Sequence, residues 1–95
     1  MSREPNIIYV GRKPAMSYVL AVITSFTGSN LKEVTLKARG QAIKTAVDAA
    51  EITRRSFMKE LSVSKISIGT EEMPPREGES RARMISTIEI TLTRQ

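Results

Sequence analysis

The chain has 95 residues and contains neither cysteine nor histidine. The lack of cysteine excludes disulfides and thiolate nucleophiles. The lack of histidine excludes Cys/His zinc sites and the usual general base of Ser–His and Cys–His pairs. The one cluster of carboxylates, which is Glu71, Glu72, Glu77 and Glu79, falls in a polar stretch that would position a metal or substrate poorly. We therefore expect a protein without enzymatic activity, metal or cofactor.

Long apolar runs and aromatic residues are also scarce. No apolar run approaches the length of a membrane span, and the first residues lack the layout of a signal peptide. We therefore expect an intracellular protein. Tryptophan is absent, and the aromatics are two tyrosines and two phenylalanines. With Tyr9 and Phe26 expected in the core, no row of exposed aromatics remains to stack unpaired bases.

Positive charge is concentrated in one half of the chain. The net charge is +5, and residues 1–47, with seven basic and two acidic residues, account for all of it. Residues 48–95 contain eight of each sign. Such an imbalance predicts a positive face that attracts polyanions, nucleic acid before acidic membrane. A basic surface exposed only to solvent is the alternative that charge alone leaves open.

The apolar pattern predicts four strands and two helices in the order β-α-β-α-β-β. Residues 6–10 are apolar on both sides, which is typical of a buried strand. Pro14 suits a helix start, and an apolar stripe follows until residues 27–30 end the helix. The stripe comprises Met16, Val19, Leu20, Ile23 and Phe26. Residues 33–39 alternate as a half-buried strand.

A second helix is predicted from Gln41 to about Leu61, with an apolar stripe that includes Val47 and Phe57. Strands follow at 63–70 and 84–93, joined by residues 71–83, which are polar and predict a long mobile hairpin arm. The fold class is α+β, a two-layer sandwich of a four-stranded mixed sheet with two helices on one face. We expect one domain, 1–95, with residues 1–5 disordered.

Three basic segments are candidate phosphate contacts. In Gly11-Arg12-Lys13-Pro14, two cations lie at the positive end of a helix. We expect backbone N–H groups, the helix dipole and the side-chain charges to bind phosphate oxygens together there, and an anionic ligand would explain the cations. Lys37 and Arg39 share one side of a strand, and Gly40 allows close approach of a ligand. Arg76, Arg81 and Arg83 lie on the arm, where arginine suits groove insertion. For each set there is an alternative without a ligand, in which the charges are exposed to solvent or are paired with acidic residues of the same chain.

These segments, in order, resemble the Alba family of archaeal chromatin proteins. The resemblance rests on five stretches, namely residues 6–14 (NIIYVGRKP), 18–21 (YVLA), 37–43 (KARGQAI), 46–48 (AVD) and 86–90 (STIEI). It implies a fold like the C-terminal domain of bacterial initiation factor 3. It also implies a cytoplasmic, chromosome-associated homodimer that binds double-stranded DNA, with RNA as a further ligand and dimer–dimer contacts along the DNA.

By position, the resemblance implies roles for individual residues. Arg12 and Lys13 match the basic pair of the turn in the family. Arg39 matches the arginine at the end of the second strand. Arg81 or Arg83 matches the arginine near the end of the arm. Phe57 matches an aromatic of dimer–dimer packing. The full set of expected nucleic-acid contacts is Arg12, Lys13, Lys37, Arg39, Gln41, Lys44, Arg76, Arg81 and Arg83.

Two positions depart from the family pattern. Arg12 stands where many members have the lysine whose acetylation weakens DNA binding. Arginine is not acetylated by that chemistry, so Lys13 is the position of the turn that remains available for acetylation. Gln41 replaces an arginine and removes one charge from the positive face. The leading expectation is a sequence-tolerant protein that coats or condenses DNA. One alternative is a protein that acts mainly on RNA, as a chaperone or a ribonucleoprotein subunit. The other is a protein-assembly module that uses helix 2 as its contact surface.

Overall fold

The computed structural model describes residues 6–95, so the disorder expected for residues 1–5 lies outside the described residues. The order β-α-β-α-β-β and the four-stranded mixed sheet are confirmed. The elements are β1 (Ile7–Tyr9), α1 (Ala15–Ser29), β2 (Glu33–Arg39), α2 (Ala42–Ile52), a π-helical turn (Thr53–Phe57), β3 (Leu61–Met73) and β4 (Arg83–Arg94).

The strands lie in the order β1-β2-β4-β3. β1 and β2 are parallel, with Tyr9 beside Lys37. β4 is antiparallel to both of its neighbours, with Lys37 opposite Glu89 and Ile90 opposite Ile66. Because β1 and β2 are parallel and each precedes a helix, their carboxyl ends and the starts of α1 and α2 meet at one edge of the sheet. We call this edge the carboxyl edge.

The core lies between the helices and one face of the sheet. Strand alternation directs Val34, Leu36 and Ala38 of β2 toward the helices, and Ile90 and Leu92 of β4 join them. The helices contribute the large side chain of Phe26 and the smaller ones of Val19, Val22, Ala46, Ala49 and Ala50. The alanines of α2 let its backbone approach the sheet closely.

The buried face of α1 differs from the predicted stripe. Met16 is 44 % exposed and Leu20 is 59 % exposed, whereas Tyr18 and Val22 are buried with Val19 and Phe26. Residues 19–23 are all apolar, so apolar pattern alone does not define which side of the helix faces the sheet. Pro14 precedes the first helical residue as the cap, and the helix continues through Gly28 until Asn30 adopts a left-handed φ of 54°.

The prediction that Tyr9 belongs to the core is wrong. Its side chain is 62 % exposed, while its neighbour Val10 is buried. The apolar run has side chains on both faces of β1, but the helices cover only one face. Tyr9 therefore projects from the uncovered face, on the same side as Lys37.

The second helix is shorter than predicted. α2 ends at Ile52 and continues as a π-helical turn, in which the Met58 amide donates to the Thr53 carbonyl at 2.7 Å. This wider turn changes the helical phase, so that Met58 is buried and Phe57 is 54 % exposed. Val47, another member of the predicted apolar stripe, is also exposed, so the stripe does not coincide with the buried face of the helix.

The hairpin arm is more regular than its composition suggests. β3 and β4 pair continuously as far as Met73 opposite Arg83, apart from an irregularity between Val63 and Lys65. Residues 71–73 and Arg83 are therefore strand, and only residues 74–82 form the connecting loop. Backbone pairing does not need apolar side chains, which explains why polarity alone predicted a longer loop.

Candidate nucleic-acid interface

The carboxyl edge brings together the predicted contacts of the first half of the chain. The turn with Arg12 and Lys13 follows β1, and Arg39 ends β2 beside it, since Val10 bonds to the Lys37 carbonyl at 2.8 Å. Gln41 immediately precedes α2, and Lys44 lies in the first turn of that helix. The positive ends of both helix dipoles add to these side-chain charges.

Tyr18 holds the basic turn in place. Its hydroxyl accepts hydrogen bonds from the Gly11 amide at 2.8 Å and the Lys13 amide at 3.2 Å. Helical side chains lean toward the helix start, so a residue one turn after Pro14 can reach back to the turn. Sequence reasoning missed this role, although the spacing between Pro14 and Tyr18 was the available signal.

The hydrogen bonds of Tyr18 also correct one expectation. The turn was predicted to serve phosphate through its backbone amides, but two of these amides already donate to Tyr18. The side chains of Arg12 and Lys13 are exposed and remain open to an anionic ligand. Neither side chain lies within 4.0 Å of a carboxylate of residues 6–95.

The two strand cations have acidic partners. Lys37 Nζ lies 3.8 Å from Glu89 Oε2. Arg39 Nη1 lies 2.5 Å from Glu71 Oε1 and also 3.6 Å from Met73 Sδ. Exposed ion pairs of this kind contribute about 0–1 kcal/mol. A phosphate can therefore compete with each carboxylate.

Lys44 is also paired, since its ammonium lies 2.7 Å from Asp48 Oδ2 one helical turn away. Its side chain remains 85 % exposed, so the pair leaves the ammonium accessible. Gly40 joins this region to the arm. Its φ is +58°, its amide donates to the Ser86 carbonyl at 2.9 Å, and a Cβ there would lie 3.5 Å from Ile85.

The arm extends away from the carboxyl edge. Thr87 is opposite Arg39, and β4 continues four residues beyond that point to Arg83, a distance of about 13 Å. Arg76 and Arg81 lie on the loop and are exposed. Arg83 is half-buried in β4, and its buried Nε has no hydrogen-bond partner within residues 6–95. The arm arginines thus lie apart from the carboxyl edge, and Glu77 and Glu79 lie among them on the same loop.

Three basic residues outside the carboxyl edge contact acidic residues near them. Arg54 and Arg55 at the end of α2 contact Glu51, with Arg54 Nε 2.5 Å and Arg55 Nη1 3.8 Å from its carboxylate. Hydrogen bonding from Arg54 lowers the pKa of the Glu51 carboxyl and raises the pKa of the Arg54 guanidinium. Arg94 likewise lies 3.7 Å from Glu60.

The described part of the chain has no group of three acidic side chains arranged to hold a metal ion, including the glutamates of the arm. The helices within residues 6–95 are too short or too polar to cross a membrane.

Comparison with known proteins gives a consistent result. The sequence profile of the family described as Alba matches residues 6–70. "DNA/RNA-binding protein Alba" of Picrophilus torridus is 46 % identical over 91 residues, covering 96 % of this chain and 98 % of the relative. The protein of the same name from Methanocella arvoryzae is 48 % identical, covering 96 % and 92 %.

Solved structures agree with the sequence relatives. Alba from Thermoplasma volcanium superposes with a TM-score of 0.83 at 47 % identity, covering 94 % of this chain and all of that one. ALBA1 from Trypanosoma brucei superposes with a TM-score of 0.73 at 26 % identity, covering 98 % and 72 %. The extent and identity of these matches establish that this chain belongs to the Alba family.

Proposed function

We propose that this protein is a non-enzymatic, dimeric chromatin protein that binds double-stranded DNA largely independently of sequence and coats or compacts it, and that it also binds RNA. The observation that supports this most directly is the exposed Arg12–Lys13 pair, which has no carboxylate partner in residues 6–95 and adjoins two helix starts. The names of the relatives, which are DNA/RNA-binding proteins, point to the same ligands.

Binding works through the sugar–phosphate backbone. Arg12 and Lys13 contact phosphates directly, and Arg39 and Lys37 join them when phosphate displaces Glu71 and Glu89. Gln41 and Lys44 lie at the start of α2 within reach of the same backbone. Arg76, Arg81 and Arg83 of the arm contact the duplex further along. Phosphate contacts fix position but do not identify bases, which accounts for sequence tolerance.

The apolar surface that the helices leave uncovered supports the homodimer of this proposal. On the helix side of the hairpin, Ile66 is 59 %, Ile68 is 82 % and Met84 is 68 % exposed. Large apolar side chains adjacent on one face are typical of an interface. A second copy of this chain would cover them and place two carboxyl edges and two arms on one assembly.

Two finer features belong to the same proposal. Phe57, exposed on the π-helical turn, contributes to packing between neighbouring dimers along DNA. Acetylation of Lys13 would remove one of the two unpaired cations of the turn and weaken binding. The other cation, Arg12, would keep its charge, because arginine is not acetylated by that modification.

The test is a double substitution, Arg12→Ala with Lys13→Ala. We expect affinity for a 40-base-pair duplex to fall at least tenfold, with the size of the protein in light scattering unchanged. Lys32→Ala with Lys59→Ala is the matched control, because these exposed lysines lie at the opposite edge. Wild-type affinity in the first variant would overturn the proposal and favour a protein-assembly module.

The balance between DNA and RNA needs a separate experiment, because backbone contacts serve both. Crosslinking in cells, followed by sequencing of both nucleic acids, is expected to recover mainly chromosomal DNA spread over many sequences. Recovery of RNA alone would replace the chromatin role with an RNA-first role.

A further inference from the structure

Tyr9 is a large aromatic side chain exposed on an open surface. Its ring is 62 % exposed on the face of the sheet opposite the helices. Its hydroxyl makes no hydrogen bond to any side chain or backbone group of residues 6–95. Neither the core nor the phosphate contacts described above account for this exposure.

A shallow groove runs beside Tyr9. It has a volume of about 290 Å³ and lies between the outer side of β1 and the start of α1. Its lining combines apolar, hydroxyl and cationic groups, contributed by Ile7, Tyr9, Lys13, Ser17, Tyr18 and Ala21. Lys13 thus belongs both to the basic turn and to this groove.

The backbone of β1 adds hydrogen-bonding groups at the same place. Asn6 and Val10 bond to β2, through Thr35 N to Asn6 O at 2.7 Å and Val10 N to Lys37 O at 2.8 Å. Since successive residues of a strand direct their peptide groups to opposite sides, the N–H and C=O of Tyr9 face outward. Within residues 6–95, no strand pairs with this outer side.

We propose that Tyr9 is a stacking platform for one unpaired base of a single-stranded nucleic acid, a site that rests on the proposed nucleic-acid binding and extends it. The base stacks on the Tyr9 ring, and its polar edge meets the outward peptide group of Tyr9. The adjoining phosphate contacts Lys13, on the groove side, or Lys37, the cross-strand neighbour of Tyr9. An aromatic ring flanked by cations is the combination that binds single strands.

The site discriminates between paired and unpaired nucleic acid. In a duplex each base is already stacked and faces its partner, so a base reaches Tyr9 only after leaving the helix. An extended peptide fits this surface less well, because β1 offers only three residues for strand addition and the adjoining charges are positive. The groove therefore favours single strands and unpaired loops of RNA.

The test compares Tyr9→Ala and Tyr9→Phe with wild type, using a 12-nucleotide oligouridylate and a 40-base-pair DNA duplex. Stacking predicts that Tyr9→Ala weakens oligouridylate binding roughly tenfold, while duplex affinity stays within twofold. Tyr9→Phe keeps the ring and is expected to keep the affinity. Since Tyr9 is exposed, both variants are expected to fold, which thermal melting verifies.

Fluorescence gives an independent readout. The chain has no tryptophan and two tyrosines, of which Tyr18 is buried. Stacking of uracil on Tyr9 should quench a large part of the tyrosine emission of wild type, and this quenching should disappear in Tyr9→Phe although the affinity remains. A ribose–phosphate oligomer of the same length without bases should bind wild type and Tyr9→Ala equally.

The outcomes separate this inference from the proposed function. If Tyr9→Ala binds oligouridylate as tightly as wild type, and duplex binding is intact, the platform is overturned and the phosphate-binding edge stands. Equal loss of duplex and single-strand affinity in Tyr9→Ala would also overturn the platform. If wild type binds neither nucleic acid, both proposals fail together.

Discussion

The hydroxyl of Tyr18 accepts hydrogen bonds from two backbone amides of the turn before α1. This residue links the core to the proposed phosphate contacts, since its ring is buried while its oxygen reaches the surface turn. The turn is thereby ordered before any ligand arrives, which reduces the conformational entropy lost on binding.

Tyr18→Phe removes the shared acceptor and leaves both amides without it. We expect unfolding free energy to fall by about 1–2 kcal/mol, seen as a lower denaturant midpoint, together with weaker duplex binding from a less ordered turn. Tyr9→Phe is the control, because its hydroxyl has no such bonds within residues 6–95. Equal midpoints for the two variants would show that the Tyr18 hydroxyl does not hold the turn.

Glu71 opposes phosphate binding at Arg39. The carboxylate lies 2.5 Å from the guanidinium and must be displaced before Arg39 can contact a phosphate. The alternating pattern of β2 predicted that Lys37 and Arg39 share a face, and they do. Their acidic partners lie more than 30 residues away in sequence, so the pattern contained no signal for them.

Glu71→Gln is expected to raise duplex affinity by up to about fivefold, the value of one exposed ion pair. Glu33→Gln is the matched control, since it removes the same charge from an exposed position at the start of β2, at the opposite edge of the sheet from the basic turn. Fluorescence anisotropy at fixed salt measures both. If the two variants gain equally, general charge and not the Arg39 contact is responsible.

At the scale of elements, the strict alternation of β2 and β4 made these strands predictable, whereas the helices were harder. α1 has apolar side chains on most of its sides, and its orientation depends on packing against β1 and β2. The π-helical turn after α2 has no sequence signal, because it forms where Met58 is buried against the rest of the core. Its consequence is the exposure of Phe57.

Phe57→Ala should reduce cooperative binding along DNA without separating the dimer. Cooperativity is measured from the Hill coefficient on a duplex long enough for several dimers, and size from light scattering. Leu20→Ala is the control, as another apolar side chain that is about as exposed, at 59 % against 54 %. Loss of the dimer in Phe57→Ala would assign Phe57 to the dimer interface instead.

At the scale of the whole molecule, the proposed function gives the apolar surface of the hairpin and the carboxyl edge separate roles. The molecule measures 48 × 29 × 22 Å, and this elongation reflects the arm that projects beyond the sheet. The sequence indicated both strands of the arm. It could not indicate that Ile66 and Ile68 lie outside the cover of the helices, because that depends on where α2 crosses the sheet.

Ile68→Glu should convert the protein to a monomer, since it introduces charge into the centre of the uncovered apolar face. Light scattering at micromolar concentration gives the mass, and circular dichroism verifies the fold. Thr24→Glu, at an exposed position of α1, is the control and should remain dimeric. A dimeric Ile68→Glu would exclude this surface as the interface.

The salt dependence of duplex binding tests the phosphate-binding edge most directly, because the slope of log affinity against log salt counts phosphate contacts at about 0.9 each. The slope for Arg12→Ala with Lys13→Ala should be shallower than wild type by about 2 per protomer. Gln41→Arg should steepen it by up to about 1, and Lys32→Ala with Lys59→Ala should leave it unchanged. Equal slopes for wild type and the Arg12/Lys13 variant would contradict phosphate binding at this edge.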